Sequence, residues 1–121
     1  EPNLQIEKIY DKILKVIIPS YQYPEITVVR LIIEGKEYKT KDFKETTWKQ
    51  AKPIIVHGKK IGELQIFYLK KCKEADEGPF LKEERHLINS IAQLLSHFIG
   101  RKKIENALLE SESRFRILIE K

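Results

Sequence analysis

The sequence predicts an α+β fold: an antiparallel sheet of four to five strands, with an N-terminal helix and a long C-terminal helix on one face. Three observations predict it. Ile6, Ile9, Ile13, Val16 and Ile17 recur at helical spacing near the start of the chain. The middle holds β-branched runs separated by Glu34-Gly35-Lys36 and His57-Gly58-Lys59, the pattern of strands joined by tight turns. Residues 78–121 then read as one helical pattern, with no proline after Pro79. Unbroken, that stretch would be on the order of 60 Å long. A compact domain of this length has a radius of gyration of only about 14 Å. Such a helix must leave the domain, fold back on itself, or pair with a copy from another chain.

The elements follow in order. The first helix is expected over residues 4–18, with Glu7, Lys8, Asp11, Lys12 and Lys15 turned to solvent and Pro19 ending it. Residues 20–24 are a connection. Residues 26–33 are apolar on both faces, which indicates a central strand. A shorter, more polar strand is expected over 37–40. A third follows over 46–56, where Pro53 cannot donate to a ladder and so belongs at a sheet edge. The fourth is expected over 60–69, with Leu64, Ile66 and Tyr68 on one side and Ile61, Phe67 and Leu69 on the other. Both helices take one sheet face. The opposite face is left to residues 41–48, where Phe43 and Trp48 are the large apolar groups.

Composition narrows the function. The 121 residues fit one domain plus an extension, and 34% charge without Gly/Ser-rich or Pro-rich tracts predicts order through most of the chain. The absence of methionine makes Glu1 an internal or processed residue, and the chain reads as a piece of something larger. No apolar run is long enough to span a membrane, and the start has no signal-peptide pattern. A single cysteine, Cys72, cannot form an internal disulfide and fits a reduced, cytoplasmic thiol. The net charge of +5 is spread along the chain.

In the long helix, Leu87, Ile91, Leu94 and Phe98 form a stripe, with Ile88, Leu95 and Ile99 beside it. It is wide enough to pack on a sheet and still meet a partner. After Gly100-Arg101-Lys102-Lys103 it thins to Ile104, Leu108, Phe115 and Leu118, with one extra three-residue step near Arg101. That spacing predicts a narrow two-stranded seam with a discontinuity. The alternative is a helix that breaks at Gly100.

Catalytic and metal chemistry finds little footing. His86 and His97 share a helix face but lie ~16 Å apart along it, too far to share an ion. Glu83 and His86 have the Glu-x-x-His spacing of carboxylate-bridged metals, without the further carboxylates such a site needs. His97 follows Ser96, but Phe98-Ile99-Gly100 is not an acidic phosphoacceptor run. Gly58-Lys59-Lys60 lacks the upstream glycine and following Ser or Thr of a phosphate loop. No catalytic residue, metal or cofactor is expected. Lys36, Lys39, Lys41, Lys44, Lys49, Lys52, Lys59 and Lys60, with Tyr38, Phe43 and Trp48 among them, allow a second reading as a nucleic-acid-binding sheet. Interspersed carboxylates argue against that partner. A third reading puts a small anionic ligand at Arg30, with Phe67 below and Phe43 and Trp48 above. Against it, Arg30 can pair with a carboxylate while the aromatics fill the space.

Several runs resemble a known family. They are Tyr23-Pro24-Glu25-Ile26-Thr27, Gly35-Lys36-Glu37-Tyr38-Lys39-Thr40 and Phe43-Lys44-Glu45-Thr46-Thr47-Trp48-Lys49. Clearest is Glu77-Gly78-Pro79-Phe80-Leu81-Lys82-Glu83-Glu84-Arg85, with Leu87-Ile88 and Ile91-Ala92 after it. Together they resemble a shortened GAF-like sensory domain, of the kind preceding PAS domains in archaeal and bacterial sensor histidine kinases. Glu112-Ser113-Arg114-Phe115-Arg116, with Leu118 and Glu120, resembles the opening of a PAS domain. The resemblance implies a sensory domain over 1–100 and a linker helix with the start of a PAS domain over 101–121. It implies a non-catalytic relay module in the cytoplasm, homodimeric through Leu87, Ile91, Leu94, Phe98 and Leu108, with PAS and kinase domains downstream in the same chain. The helix-and-loop insertion that closes the pocket of larger GAF domains is replaced by about ten residues. No Asn-Lys-Phe-Asp-Glu-type nucleotide motif is present, and Cys72 has no pigment-attachment context, so no bound cofactor is implied. The small-molecule alternative falls on Arg30, Phe43, Trp48 and Phe67.

Overall fold

A computed structural model describes the backbone of residues 2–120 and the side chains of residues 6–109. Helix α1 (Pro2–Ile17) passes through short 3₁₀ turns at Ile18–Ser20 and Pro24–Ile26 into β1 (Thr27–Ile33). Then come β2 (Lys36–Lys39), β3 (Lys49–Val56), β4 (Lys59–Tyr68) and α2 (Lys82–Glu120). The sheet has four strands in the order β2-β1-β4-β3, every neighbouring pair antiparallel. Pro53 therefore lies on an edge strand and the apolar β1 in the interior, each where its chemistry requires.

The turns explain the pairing. Glu34 and Gly35 have φ of 49° and 83°, and His57 and Gly58 have φ of 51° and 76°. Positive φ at both central positions is the type I′ geometry whose twist matches that of paired strands. β3 begins at Lys49, later than the sequence predicts, because Thr46 Oγ1 donates to the Tyr68 carbonyl at 2.7 Å and closes the ladder with a side chain.

A bulge changes one face assignment. Ile54 pairs with Gly62 but Ile55 pairs with Lys60, so Ile61 is left unpaired. Ile61 packs against the helix-side core, not on the Phe67 side as strict alternation predicts. At Gly62 a Cβ would overlap the Ile32 carbonyl oxygen, so only glycine lets the two strands approach here.

Both helices cover one face of the sheet. Tyr10, Leu14 and Ile17 of α1 join Ile88, Ala92, Leu95 and Ile99 of α2 over Val29, Leu31, Ile33, Ile54, Leu64, Ile66 and Tyr68. Val16 is not part of this layer and stands 69% exposed.

Helix α2 also seals the β3 edge. Arg85 donates to the Ala51 carbonyl at 3.0 Å, and Ser96 Oγ accepts the Ile55 N–H at 3.3 Å. Between them Pro53 has no N–H to offer. The other edge, β2, is four residues long with a lysine at each end.

The helix does not break at Gly100. It runs 39 residues from Lys82 to Glu120. Gly100 is buried, with Val56 and His57 beside it, and that packing offsets the ~1 kcal/mol helix cost of glycine.

Candidate functional site

The base of α2 is held by a buried carboxylate. Glu84 is the third residue of the helix and only 3% exposed. Its Oε1 accepts the Leu81 N–H at 2.8 Å, one half of a capping box. Its Oε2 accepts the Gln22 N–H at 2.7 Å and the Tyr68 hydroxyl at 3.0 Å. Tyr21 donates its hydroxyl to Gln50 Oε1 at 2.6 Å and also lies 3.2 Å from the Glu84 carbonyl. Burial, then the neighbouring Glu84, pushes the Tyr21 and Tyr68 phenols well above their ordinary range.

Beside this cluster Arg85 grips Glu77 with two hydrogen bonds of 2.7 Å. That contact holds the Glu77 carboxyl below its usual value, and the Gln50 amide contributes. Gln50 Nε2 itself makes no well-aligned hydrogen bond. The result is a rigid socket from which α2 departs. Its sequence signal was the acidic residue three places after the helix start, which the periodicity argument passed over.

Along α2 the predicted partner row divides. Leu87, Ile91 and Phe98 are half-buried against the core, whereas Leu94 and Leu108 are each 67% exposed. Ile104 and Leu109 are also exposed. Phe115 and Leu118, and the run 112–120 read as a PAS opening, lie outside the described side chains.

Helix α1 runs antiparallel to α2: Tyr21, just past its end, meets Glu84, while Ile6 lies beside Phe98 and Lys102. Between the helices is an open trough of about 450 Å³, with Ile9 and Ile13 on one wall and Leu94 and Phe98 on the other. Arg101, Lys102 and Glu105 stand at one end. Together with Val16, the α1 wall forms a second apolar row that sequence reading missed, because a single stripe was assigned to that helix.

The opposite sheet face brings together three of the four residues proposed for a ligand. Arg30 donates to Gln65 at 2.7 Å, to Glu37 at 3.4 Å and to Glu45 at 3.3 Å. Its guanidinium lies 5.1 Å from the Phe43 ring centroid and 5.8 Å from that of Phe67. Phe43 meets Phe67 edge-on at 5.3 Å. Trp48 is elsewhere. It has the same strand parity as Gln50, which faces the helices, and it packs against the helix-side core.

His86 and His97 are exposed on α2, and His57 is at the β3–β4 turn. Among the described residues no three His, Cys, Asp or Glu side chains converge on a possible metal position. Cys72 is half-buried, and burial raises its thiol pKa. No described helix is long and apolar enough to cross a membrane.

No protein-family model, curated protein or solved structure matches the chain.

Proposed function

We propose that the chain is a GAF-like, non-catalytic relay module of a cytoplasmic sensor histidine kinase, homodimeric through α2. The observation that carries the reading is an uninterrupted 39-residue helix, anchored at Glu84, on which Leu94 and Leu108 stand 67% exposed. Burying one such side chain stabilises by ~1.5–3 kcal/mol, so a second copy along the row has a clear driving force. A rigid helix pair then carries a rotation or register change from the domain at 1–100 into 101–121 and the PAS and kinase domains expected beyond. The GAF-like assignment draws on the helix–sheet–helix order and on the residue runs quoted above.

The other readings have weaker support. Arg30 already engages two carboxylates and two aromatic rings, leaving an incoming anion to displace them. Lys36 pairs with Glu7, and Lys49 and Lys60 with Glu63, which dilutes a nucleic-acid surface.

Sedimentation equilibrium tests the proposal. The native chain is expected to be a dimer at micromolar concentration, with Leu94→Glu and Leu108→Glu shifted to monomer while their circular dichroism keeps the native helix and strand content. A native chain that remains monomeric overturns it.

A further inference from the structure

A second groove runs between α2 and the end of β3, on the flank of the helix away from α1. Ser96 Oγ accepts the Ile55 N–H at 3.3 Å and donates to the Ala92 carbonyl at 2.9 Å, which fixes helix and strand side by side. Beyond that clasp the groove opens to about 400 Å³, within the ~300–1,000 Å³ range of small-molecule sites. Its strand wall is Ile55, Val56 and His57, and its helix wall is the row Ser96, Gly100 and Ile104. Ile55 and Ile104 are 46% and 58% exposed, so the groove offers apolar surface to water.

The rim is basic. His97 and Arg101 lie one turn apart on α2, and the His57 imidazole faces them from the β3–β4 turn. The next two cations along the helix are engaged, Lys102 with Glu105 at 3.3 Å and Lys103 with Glu34 at 2.9 Å. Arg101 has no ion-pair partner among the described residues, and no described carboxylate lines the groove. A guanidinium presents a planar fork that matches a carboxylate with two hydrogen bonds. The α1–α2 trough shares the His97–Arg101 ridge but has Glu105 within it, which repels such a head group.

Gly100 is the third observation. An added Cβ would meet Val56 Cγ1 at 3.5 Å and His57 Nε2 at 3.7 Å, both ordinary contacts. Packing thus keeps the helix continuous at this glycine but does not require one, and alanine is the better helix former. The glycine is accounted for if the space beside His57 is used.

We infer that this groove binds a carboxylate carrying an apolar body. Arg101 takes the head group, His57 and His97 supply further donors, and Ile55 and Ile104 receive the body. The site gives the relay reading an input at the β3–β4 turn, and it does not depend on the dimer.

Calorimetric titration of the full chain with 2-naphthoate tests it, and one molecule per chain is expected to bind. Acetate has the charge without the body and 2-naphthylmethanol the body without the charge; both are expected to bind weaker on the order of tenfold or more. Arg101→Gln is expected to weaken naphthoate on the order of tenfold. His57→Ala should weaken it several-fold. Gly100→Ala should also weaken it while melting no lower than the native chain, a combination that damage to the fold does not produce. Ile9→Ala, in the trough, is expected to bind as the native chain does. A native chain that takes up no naphthoate, or takes up the alcohol equally well, overturns the inference. So does binding that survives His57→Ala and Gly100→Ala but is lost in Ile9→Ala, which moves the ligand to the trough. The dimer reading stands or falls separately, by sedimentation.

Discussion

Tyr68, the last residue of β4, donates its hydroxyl to Glu84 in the first turn of α2 at 3.0 Å. Sheet and long helix are thus joined by one buried hydrogen bond to a carboxylate that also holds the Leu81 and Gln22 amides. Tyr68→Phe removes one donor from a buried acceptor and is expected to cost ~1–3 kcal/mol. Glu84→Ala orphans three donors and should cost more. Urea unfolding checks both, and a loss in Glu84→Ala no larger than in Tyr68→Phe would contradict the shared-acceptor account.

Gly100 and Gly62 have opposite consequences. At Gly100 an added methyl group meets Val56 Cγ1 at an ordinary 3.5 Å, so Gly100→Ala is expected to stabilise by about 0.5–1 kcal/mol. At Gly62 the same methyl overlaps the Ile32 carbonyl, and Gly62→Ala is expected to disrupt the β1–β4 pairing. Thermal melts of the two variants should move in opposite directions.

Stability should fall at both ends of the pH scale. The Glu77 carboxyl is held below its ordinary 4.5 by the hydrogen bond from Arg85. Glu63 is held below 4.5 by the hydrogen bond from Gln65, with Lys49 and Lys60 contributing. A carboxyl depressed in the folded state stabilises above its unfolded pKa, and that stabilisation is lost as pH falls through the folded value. Acid melts should therefore steepen below about pH 4.5, less so in Glu77→Gln.

At the alkaline end the sign reverses. Burial pushes Tyr10 from 10.0 to about 12, and raises Tyr21 and Tyr68 as well. These phenols stabilise fully below their unfolded pKa and lose that contribution as pH climbs through the folded value. Unfolding monitored by tyrosinate absorbance is expected to begin above pH 10 and to be cooperative. Gradual titration of all five tyrosines without unfolding would refute the buried assignments.

Phe43 is the only large apolar side chain lying across Phe67 and Arg30 on the outer sheet face among the described residues. Phe43→Ala is expected to cost about 1–2 kcal/mol, since the ring is half-buried. Because Glu37 and Glu45 already meet the Arg30 charge, small carboxylates and phosphates are expected to leave the native melting temperature unchanged. A ligand that raises it would reopen the sensor reading at this face.

What could be read from the sequence follows physical periodicity. Pro53 announced its edge because a missing N–H has one consequence in a sheet. The apolar run of β1 announced an interior strand, and the two glycine turns announced antiparallel hairpins. Ile61 was misplaced because a bulge shifts the alternation by one residue, and the cause lies in the register of pairing with β3, which periodicity within β4 does not carry. Trp48 was grouped with Phe43 by proximity along the chain, although strand parity carries it to the helix side with Gln50. The Glu84 cluster was invisible because its members, Gln22, Tyr68 and Glu84, come from three distant segments. The second row of α1 was hidden in plain view, as Ile9, Ile13 and Val16 merge with core positions in any one-stripe count.

The closed β3 edge bears on how the protein behaves when crowded. With Ala51 and Ile55 engaged by α2 and Pro53 lacking a donor, a stray extended segment finds no free ladder there to copy. Templating at this edge is blocked at its first step unless α2 lifts away. Agitation and concentration should therefore be tolerated, and conditions that loosen Arg85 and Ser96 should turn a well-behaved chain into a templating one.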